Sequence, residues 1–218
     1  MAKIYFISGL GADERVFQFL NISGYETKNI KWEDPLKNES LTDYSKRLIN
    51  QIDLNEKVIL IGVSFGGMIA QEIANLIECE KVIIISSIKS LKELDEKMRM
   101  VKQSAIYKFI PSRFLKWTNS LSADYYFSTE TKEESKLLKQ IITDTDRFFM
   151  KWAIDKIMTW KYESEFLQEK LTHIHGTHDR IFPINNITNA IKIKDGGHFM
   201  IVNRAKEISA IIQEKLNG

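Results

Sequence analysis

Three residues far apart in the chain have the side chains and surroundings that nucleophilic catalysis needs: Ser64, Asp179 and His198. Ser64 sits in Gly62-Val63-Ser64-Phe65-Gly66, where an apolar, β-branched run from Val58 gives way to a pattern of helical period. A serine hydroxyl is a weak nucleophile until a base takes its proton. A sharp strand-to-helix turn would lift Oγ clear of a sheet, and it requires small residues two positions to either side, which Gly62 and Gly66 supply. The helix that follows aims N–H groups and the positive end of its dipole at the same point. Taken alone, Ser64 reads equally well as the cap of that helix. Asp179, in "HGTHDRIFP", follows a strand end and a glycine and precedes Pro183. It could orient a histidine and stabilise its protonated form, or cap a short helix as a turn aspartate. His198, in "KDGGHFMIVNRAKEI", follows two glycines and precedes an apolar patch and a helix. Serine, acid and histidine thus occur in the order of a hydrolytic triad, each on a loop after a strand.

The elements that must position them are legible in the hydropathy pattern. Short, continuous apolar runs at Lys3–Ile7, Val58–Val63, Lys81–Ser86, Leu171–Gly176 and Ala190–Lys194 read as parallel strands covered on both faces. Tyr25–Trp32 is a weaker candidate ending before Pro35. Helical patterns lie between them. Leu41, Tyr44, Leu48 and Ile52 share one face behind a Ser40 N-cap, "MIAQEIANLI" follows Gly67, and "AKEISAIIQEKL" closes the chain. Strand-helix alternation of this kind predicts an α/β fold with a doubly wound, mostly parallel sheet of about six strands. Of ten glycines, eight cluster at the predicted C-terminal strand ends: Gly9 and Gly11; Gly62, Gly66 and Gly67; Gly176; Gly196 and Gly197. That is the edge of an open α/β sheet where ligands bind.

The rhythm breaks between Ile88 and Gln168, a stretch rich in Lys, Glu, Met and aromatics with no convincing strand. The expectation is a core of residues 1–87 and 169–218 with a helical cap at 88–168 lying over the sheet. Most of its aromatics should pack between cap and sheet; Trp117 and Trp152 are candidates to line an apolar substrate pocket, together with Gly9 and Phe199.

Composition narrows the function classes. At 218 residues, 44% hydrophobic and 28% charged, the chain can bury a substantial core. A formal net charge of +2, from 31 Lys and Arg against 29 Asp and Glu, gives no global argument for nucleic acid or membrane binding. The stretch Lys89–Lys116 is locally basic, which a solvated helix face explains, with a taste for acidic substrates as the alternative. The single cysteine, Cys79, excludes an internal disulfide and a cysteine-based metal cluster, and is expected at the buried end of the helix after Gly67. No apolar run is long enough for a signal peptide or a membrane span, so the expectation is a cytoplasmic protein with no stable membrane anchor.

"GVSFGG", "HGTHDRIFP", "GGHFMIV" and "FISGLGAD" resemble the nucleophile, acid, histidine and oxyanion loops of the α/β-hydrolase superfamily, and the resemblance runs from Lys3 to Leu216. It implies Ser64 as nucleophile, His198 as general base and then acid, Asp179 as its partner, and an oxyanion hole from the backbone N–H groups of Leu10 and Phe65. It also implies no cofactor and a minimal fold lacking the superfamily's first two strands. The chain departs in having Ser8-Gly9 where members usually have His-Gly. A serine carboxylesterase acting on a small, apolar or mildly acidic ester is the expected activity. The alternatives are a slow or non-catalytic ligand-binding relative, an acyltransferase, a C–C bond hydrolase, or a metal hydrolase built on the run His173, His175, His178 and Asp179.

Overall fold

In the computed structural model, which describes residues 2–105, 122–162 and 169–218, the apolar runs become neighbours in one sheet. Its strands are β1 (Ala2–Ile7), β2 (Glu26–Asn29), β3 (Lys57–Val63), β4 (Lys81–Ile85), β5 (Leu171–Gly176) and β6 (Ile191–Ile193). They form a single six-stranded sheet in the order β2-β1-β3-β4-β5-β6, and every pairing is parallel. The register aligns the strand ends: Ile7 pairs with Gly62, Val63 with Ile85, Ile85 with Ile174 and Gly176 with Ile193. The loops after β1, β3, β5 and β6 therefore emerge along one edge.

Side chains alternate across a strand, so a strand buried on both faces must be apolar at every position. Tyr5 and Ile7 of β1 join one core with Val58, Leu60, Val82 and Ile84. Ile4 and Phe6 join the other with Ile59, Ile61, Ile83, Ile85 and Ile174. The first core is covered by α1 (Leu41–Leu48) and α2 (Phe65–Ala74), the second by the C-terminal α7 (Ala205–Asn217). Ser40 caps α1, its Oγ accepting the Asp43 N–H at 3.0 Å, and the helical path continues to Ile52 through a 3-10 turn. β2 is shorter than the Tyr25–Trp32 pattern, and all four of its residues are exposed, as befits an edge strand. Cys79 is buried, but it lies past the end of α2 in the connection to β4; burial pushes its thiol up to about 12.

Between β4 and β5 the described residues contain no strand. They form α3 (Glu96–Ser104), a helical stretch at 122–127, α4 (Lys132–Asp144) and α5 (Arg147–Thr159). α5 straddles the two cores: Phe149, Ala153 and Ile157 belong to the first, Met150 and Ile154 to the second. After β6 come a short α6 (Met200–Asn203) and α7. Among the described residues no helix is long and apolar enough to cross a membrane.

Candidate active site

Ser64 occupies the turn between β3 and α2 with φ +53° and ψ −120°, a backbone state that a side chain rarely adopts. Such strain costs on the order of 1–3 kcal/mol and persists only where its surroundings over-determine it. Here the Ser64 N–H donates to Ile85 O at 2.9 Å, and its carbonyl accepts from Gly67 N at 2.9 Å and Ser87 Oγ at 2.7 Å. The flanking glycines are a matter of space. A Cβ on Gly62 would meet the Gly66 carbonyl, and one on Gly66 would meet the carbonyls of Ile7 and Ser8. Although Ser64 stands at the N-cap position, its side chain makes no capping bond. Its Oγ instead lies 2.9 Å from His198 Nε2.

His198 Nδ1 in turn lies 2.8 Å from Asp179 Oδ2. The other carboxylate oxygen, Oδ1, accepts the N–H groups of Ile181 at 2.8 Å and Phe182 at 2.9 Å, so Asp179 both holds its own turn and faces the histidine. Asp179 and His198 are each 4% exposed. Burial by itself raises a carboxyl's pKa, but His198, the hydrogen bond to it, His175 and the Phe182 N–H outweigh burial and hold Asp179 below its ordinary value. The acid and histidine loops are fastened together, with Thr177 N donating to Ile193 O at 3.0 Å and His178 N to Gly196 O at 2.8 Å. The helical stretch at 122–127 braces them: Phe199 N donates to Phe127 O at 2.9 Å, and the Phe127 ring meets His198 edge-on at 5.3 Å.

The loop after β1 closes over Ser64. A Cβ on Gly9 would come within 3.2 Å of Ser64 Cβ and 3.3 Å of Val63 O, so glycine allows that approach. Ser8 ties the loop down: its Oγ donates to Ala12 O at 2.9 Å, a carbonyl that also receives Trp32 Nε1 at 3.3 Å. The backbone N–H groups of Leu10 and Phe65 carry no hydrogen bond to an acceptor among the described residues. Both belong to segments that flank Ser64, Phe65 as the first residue of α2. Such N–H pairs at a helix start can hold a developing oxyanion.

Ser64 and His198 open into a cavity of about 280 Å³. Its walls include Leu10 on one side, Met98 from α3, Ala123, Tyr126 and Phe127 from the stretch at 122–127, and Ile142, Met150, Ile154, Ile157 and Met158 from α4 and α5. Among its described wall residues there is no Asp, Glu, Lys or Arg. A wider cavity of about 640 Å³ adjoins it across Met98, Tyr126, Met158 and Ile181, with Lys97 and Arg180 but also Asp95 and Asp179 among its walls.

Phe199, 3% exposed, borders a narrow cleft of about 20 Å³ shared with Gly9 and Ser64. Trp152 is not part of the larger cavity's wall; its ring packs on Tyr44 at 4.5 Å and Phe65 at 6.2 Å in an aromatic cluster with Trp32 and Phe149. Trp117 lies outside the described residues. The wall residues that aromatic content did not single out are the methionines and isoleucines of α5. Their spacing, 150, 154, 157 and 158, is one helical face, and that is the sequence signal for them.

The H-x-H-x-x-H-D run does not bring its three histidines together, because His178 stands apart from the other two. His178 is exposed and pairs with Asp195 at 3.3 Å, while His173 and His175 are buried in β5. Among the described residues no group of three or more His, Cys, Asp or Glu side chains is arranged to hold a metal ion.

The family described as "Alpha/beta hydrolase of unknown function (DUF1057)" matches residues 5–213. The fold is similar to that of a bromoperoxidase from Bacillus anthracis, at 18% identity and a TM-score of 0.72, covering 100% of this chain and 93% of that one. It is also similar to a thermophilic esterase from Thermogutta terrifontis, at 14% identity and TM-score 0.69 over 100% of this chain and 90% of that one. An esterase from Exiguobacterium antarcticum matches at 16% identity and TM-score 0.68 over 100% and 92%. No curated protein matches the sequence.

Proposed function

Because the chain belongs to this DUF1057 family of alpha/beta hydrolases, we propose that it is a serine hydrolase cleaving small carboxylic esters with Ser64 as nucleophile. The observation that carries the reading is the unbroken sequence of contacts from Asp179 through His198 to Ser64, 2.8 Å and 2.9 Å, at the wall of an apolar cavity. His198 takes the Ser64 proton as Oγ attacks the ester carbonyl. The oxyanion is held by the N–H groups of Leu10 and Phe65, whose donors need no reorganisation as charge develops. His198, now cationic beside the Asp179 carboxylate, protonates the departing alcohol. Water enters by the same route in reverse to release the acid.

The cavity argues for an uncharged acyl group, since a charge among its described walls would be desolvated without a partner. At roughly 30 Å³ per water-sized group, about 280 Å³ takes about nine heavy atoms. That favours acyl chains of about four to eight carbons. The polar part of the ester would belong on the alcohol side, in the wider cavity whose walls carry Lys97 and Arg180 alongside Asp95 and Asp179. In this reading residues 88–168 act as a lid, and the substrate is a small molecule requiring no cofactor. The test is hydrolysis of a series of p-nitrophenyl esters by the wild type and by Ser64→Ala. Turnover that survives Ser64→Ala would overturn the reading, and no turnover by either would favour a ligand-binding protein instead.

A further inference from the structure

His173 and His175 of β5 take no part in the chemistry above, yet both are buried, at 3% and 0% exposure, directly behind the acid loop. His175 Nε2 lies 2.8 Å from Phe182 O and 3.5 Å from Asp179 Oδ2, the same oxygen that faces His198. Its other nitrogen, Nδ1, lies 3.2 Å from His173 Nε2.

These contacts determine where the protons are. A carbonyl and a carboxylate oxygen can only accept, so His175 Nε2 carries a proton. Burial and neighbouring cations disfavour a charge on either ring: His173 is pushed down to about 3, and His175 is also lowered, burial being the main cause for both. A neutral His175 has a bare Nδ1, so His173 Nε2 must be the donor to it. His173 Nδ1 makes no hydrogen bond in the core and is then bare as well, although the Ser87 backbone beside the ring favours a proton there and burial has to outweigh it.

We propose that His175 is a positioning residue for Asp179, with His173 fixing the tautomer that lets it act. The proposal rests on the reading of Ser64, His198 and Asp179 as the reacting groups. One N–H of His175 bridges the two halves of the acid turn. It holds the carbonyl of Phe182, whose own N–H donates to Asp179 Oδ1, and it faces Asp179 Oδ2. Oδ1 is thereby occupied by two backbone donors, and Oδ2 has His198 Nδ1 at 2.8 Å and His175 Nε2 at 3.5 Å, the latter a polar neighbour and not a hydrogen bond. With three hydrogen bonds accepted and a polar N–H beside Oδ2, the carboxylate stays ionised and turned toward His198. His198 must then donate from Nδ1 and present a bare Nε2 to Ser64 Oγ, the state a general base requires. A cationic His175 would compete with the imidazolium of His198 for the same carboxylate; the neutral pair avoids that.

The test uses the full chain with two replacements. His175→Leu removes the N–H, whereas His175→Gln returns an amide N–H near the Nε2 position. We expect His175→Leu to lower kcat about three- to tenfold, the worth of the neutral hydrogen bond that holds the acid turn, with KM within about twofold, and His175→Gln to recover most of that loss. The downfield NMR signal of the His198 Nδ1 proton should move or broaden in His175→Leu and return in His175→Gln. In the wild type, ¹⁵N shifts should report His175 as the neutral Nε2–H tautomer. A nearly wild-type kcat for a folded His175→Leu, equal impairment of both variants, or an Nδ1–H or cationic His175 would each overturn the proposal. If His175→Leu does not fold, the tautomer measurement and His175→Gln decide. The NMR readouts need no turnover, so a wild type without Ser64-dependent activity would sink the functional reading while leaving this one separately tested.

Discussion

Replacing Asp179 by asparagine is the most informative single perturbation of the site, because its turn dictates how the amide must sit. Oδ1 accepts two backbone N–H groups, from Ile181 at 2.8 Å and Phe182 at 2.9 Å. The oxygen of the new amide has to take that position, since an NH₂ there would oppose both donors. The amide nitrogen then points at His198 Nδ1, 2.8 Å away in the native site, and donates where the carboxylate accepted. His198 is forced into the other tautomer, with its proton on Nε2 against Ser64 Oγ, and can no longer act as a base. Losing the charge-assisted bond alone is worth about 1.5–3 kcal/mol, or roughly 10- to 100-fold. Inverting the tautomer adds to this, and a fall in kcat of about 10³- to 10⁴-fold is expected, as the same exchange gives in serine proteases. KM should change much less than kcat, because Asp179 does not line the apolar chamber and only borders the wider cavity beside it. Steady-state kinetics on a p-nitrophenyl ester, with a thermal melt as control, measure this directly. A folded Asp179→Asn variant retaining more than about a tenth of wild-type kcat would refute the reasoning.

Other consequences are independent of that one. Gly66→Ala drives a methyl group into the carbonyls of Ile7 and Ser8, so it should cost about 3 kcal/mol and lower Tm by about 6–12 °C; an unchanged melt would contradict the packing argument for the elbow. Ile154→Trp narrows the chamber from α5 and should spare butanoate esters while reducing octanoate turnover by about tenfold or more; an unaltered chain-length profile would move the acyl group elsewhere. The folded-state pKa of His173 is lowered to about 3 by burial and by the neighbouring His175 and Lys89. The unfolded chain therefore binds the proton more readily. The stabilisation is complete above the unfolded value of about 6.5 and is lost as pH falls toward 3. His173→Leu should consequently lose about 2–3 kcal/mol less stability than the wild type between pH 6.5 and 4.5 in denaturant titrations; parallel curves would contradict a buried neutral His173.

The central strands were readable because both faces of the sheet are covered. Every residue of Val58–Val63 except the turn-forming Gly62 is a large apolar side chain sitting in one core or the other. β2 was harder because an edge strand with four exposed residues has no apolar signal to give. The triad was legible because its geometry needs glycines at fixed offsets, whereas the chamber walls need only apolar bulk. Trp152 and Met150 look alike as apolar side chains on one helix, yet one packs into the first core and the other borders the cavity. Only the roll of α5 across the two cores separates them. The pairing of His175 with Asp179 was hidden for a different reason: the run resembled metal ligands, and tautomers depend on partners that only the fold brings together. The same holds for Ser8, whose bond to Ala12 O links residues of a loop with no periodicity to read.

The claim on which the account depends is that Ser64 is the activated nucleophile, and covalent labelling addresses it most directly. A fluorophosphonate should add once per chain, with peptide mass spectrometry locating the adduct on Ser64; His198→Ala should slow the addition by orders of magnitude and Ser64→Ala should abolish it. An adduct on another residue, or none on a folded wild-type chain, would contradict it.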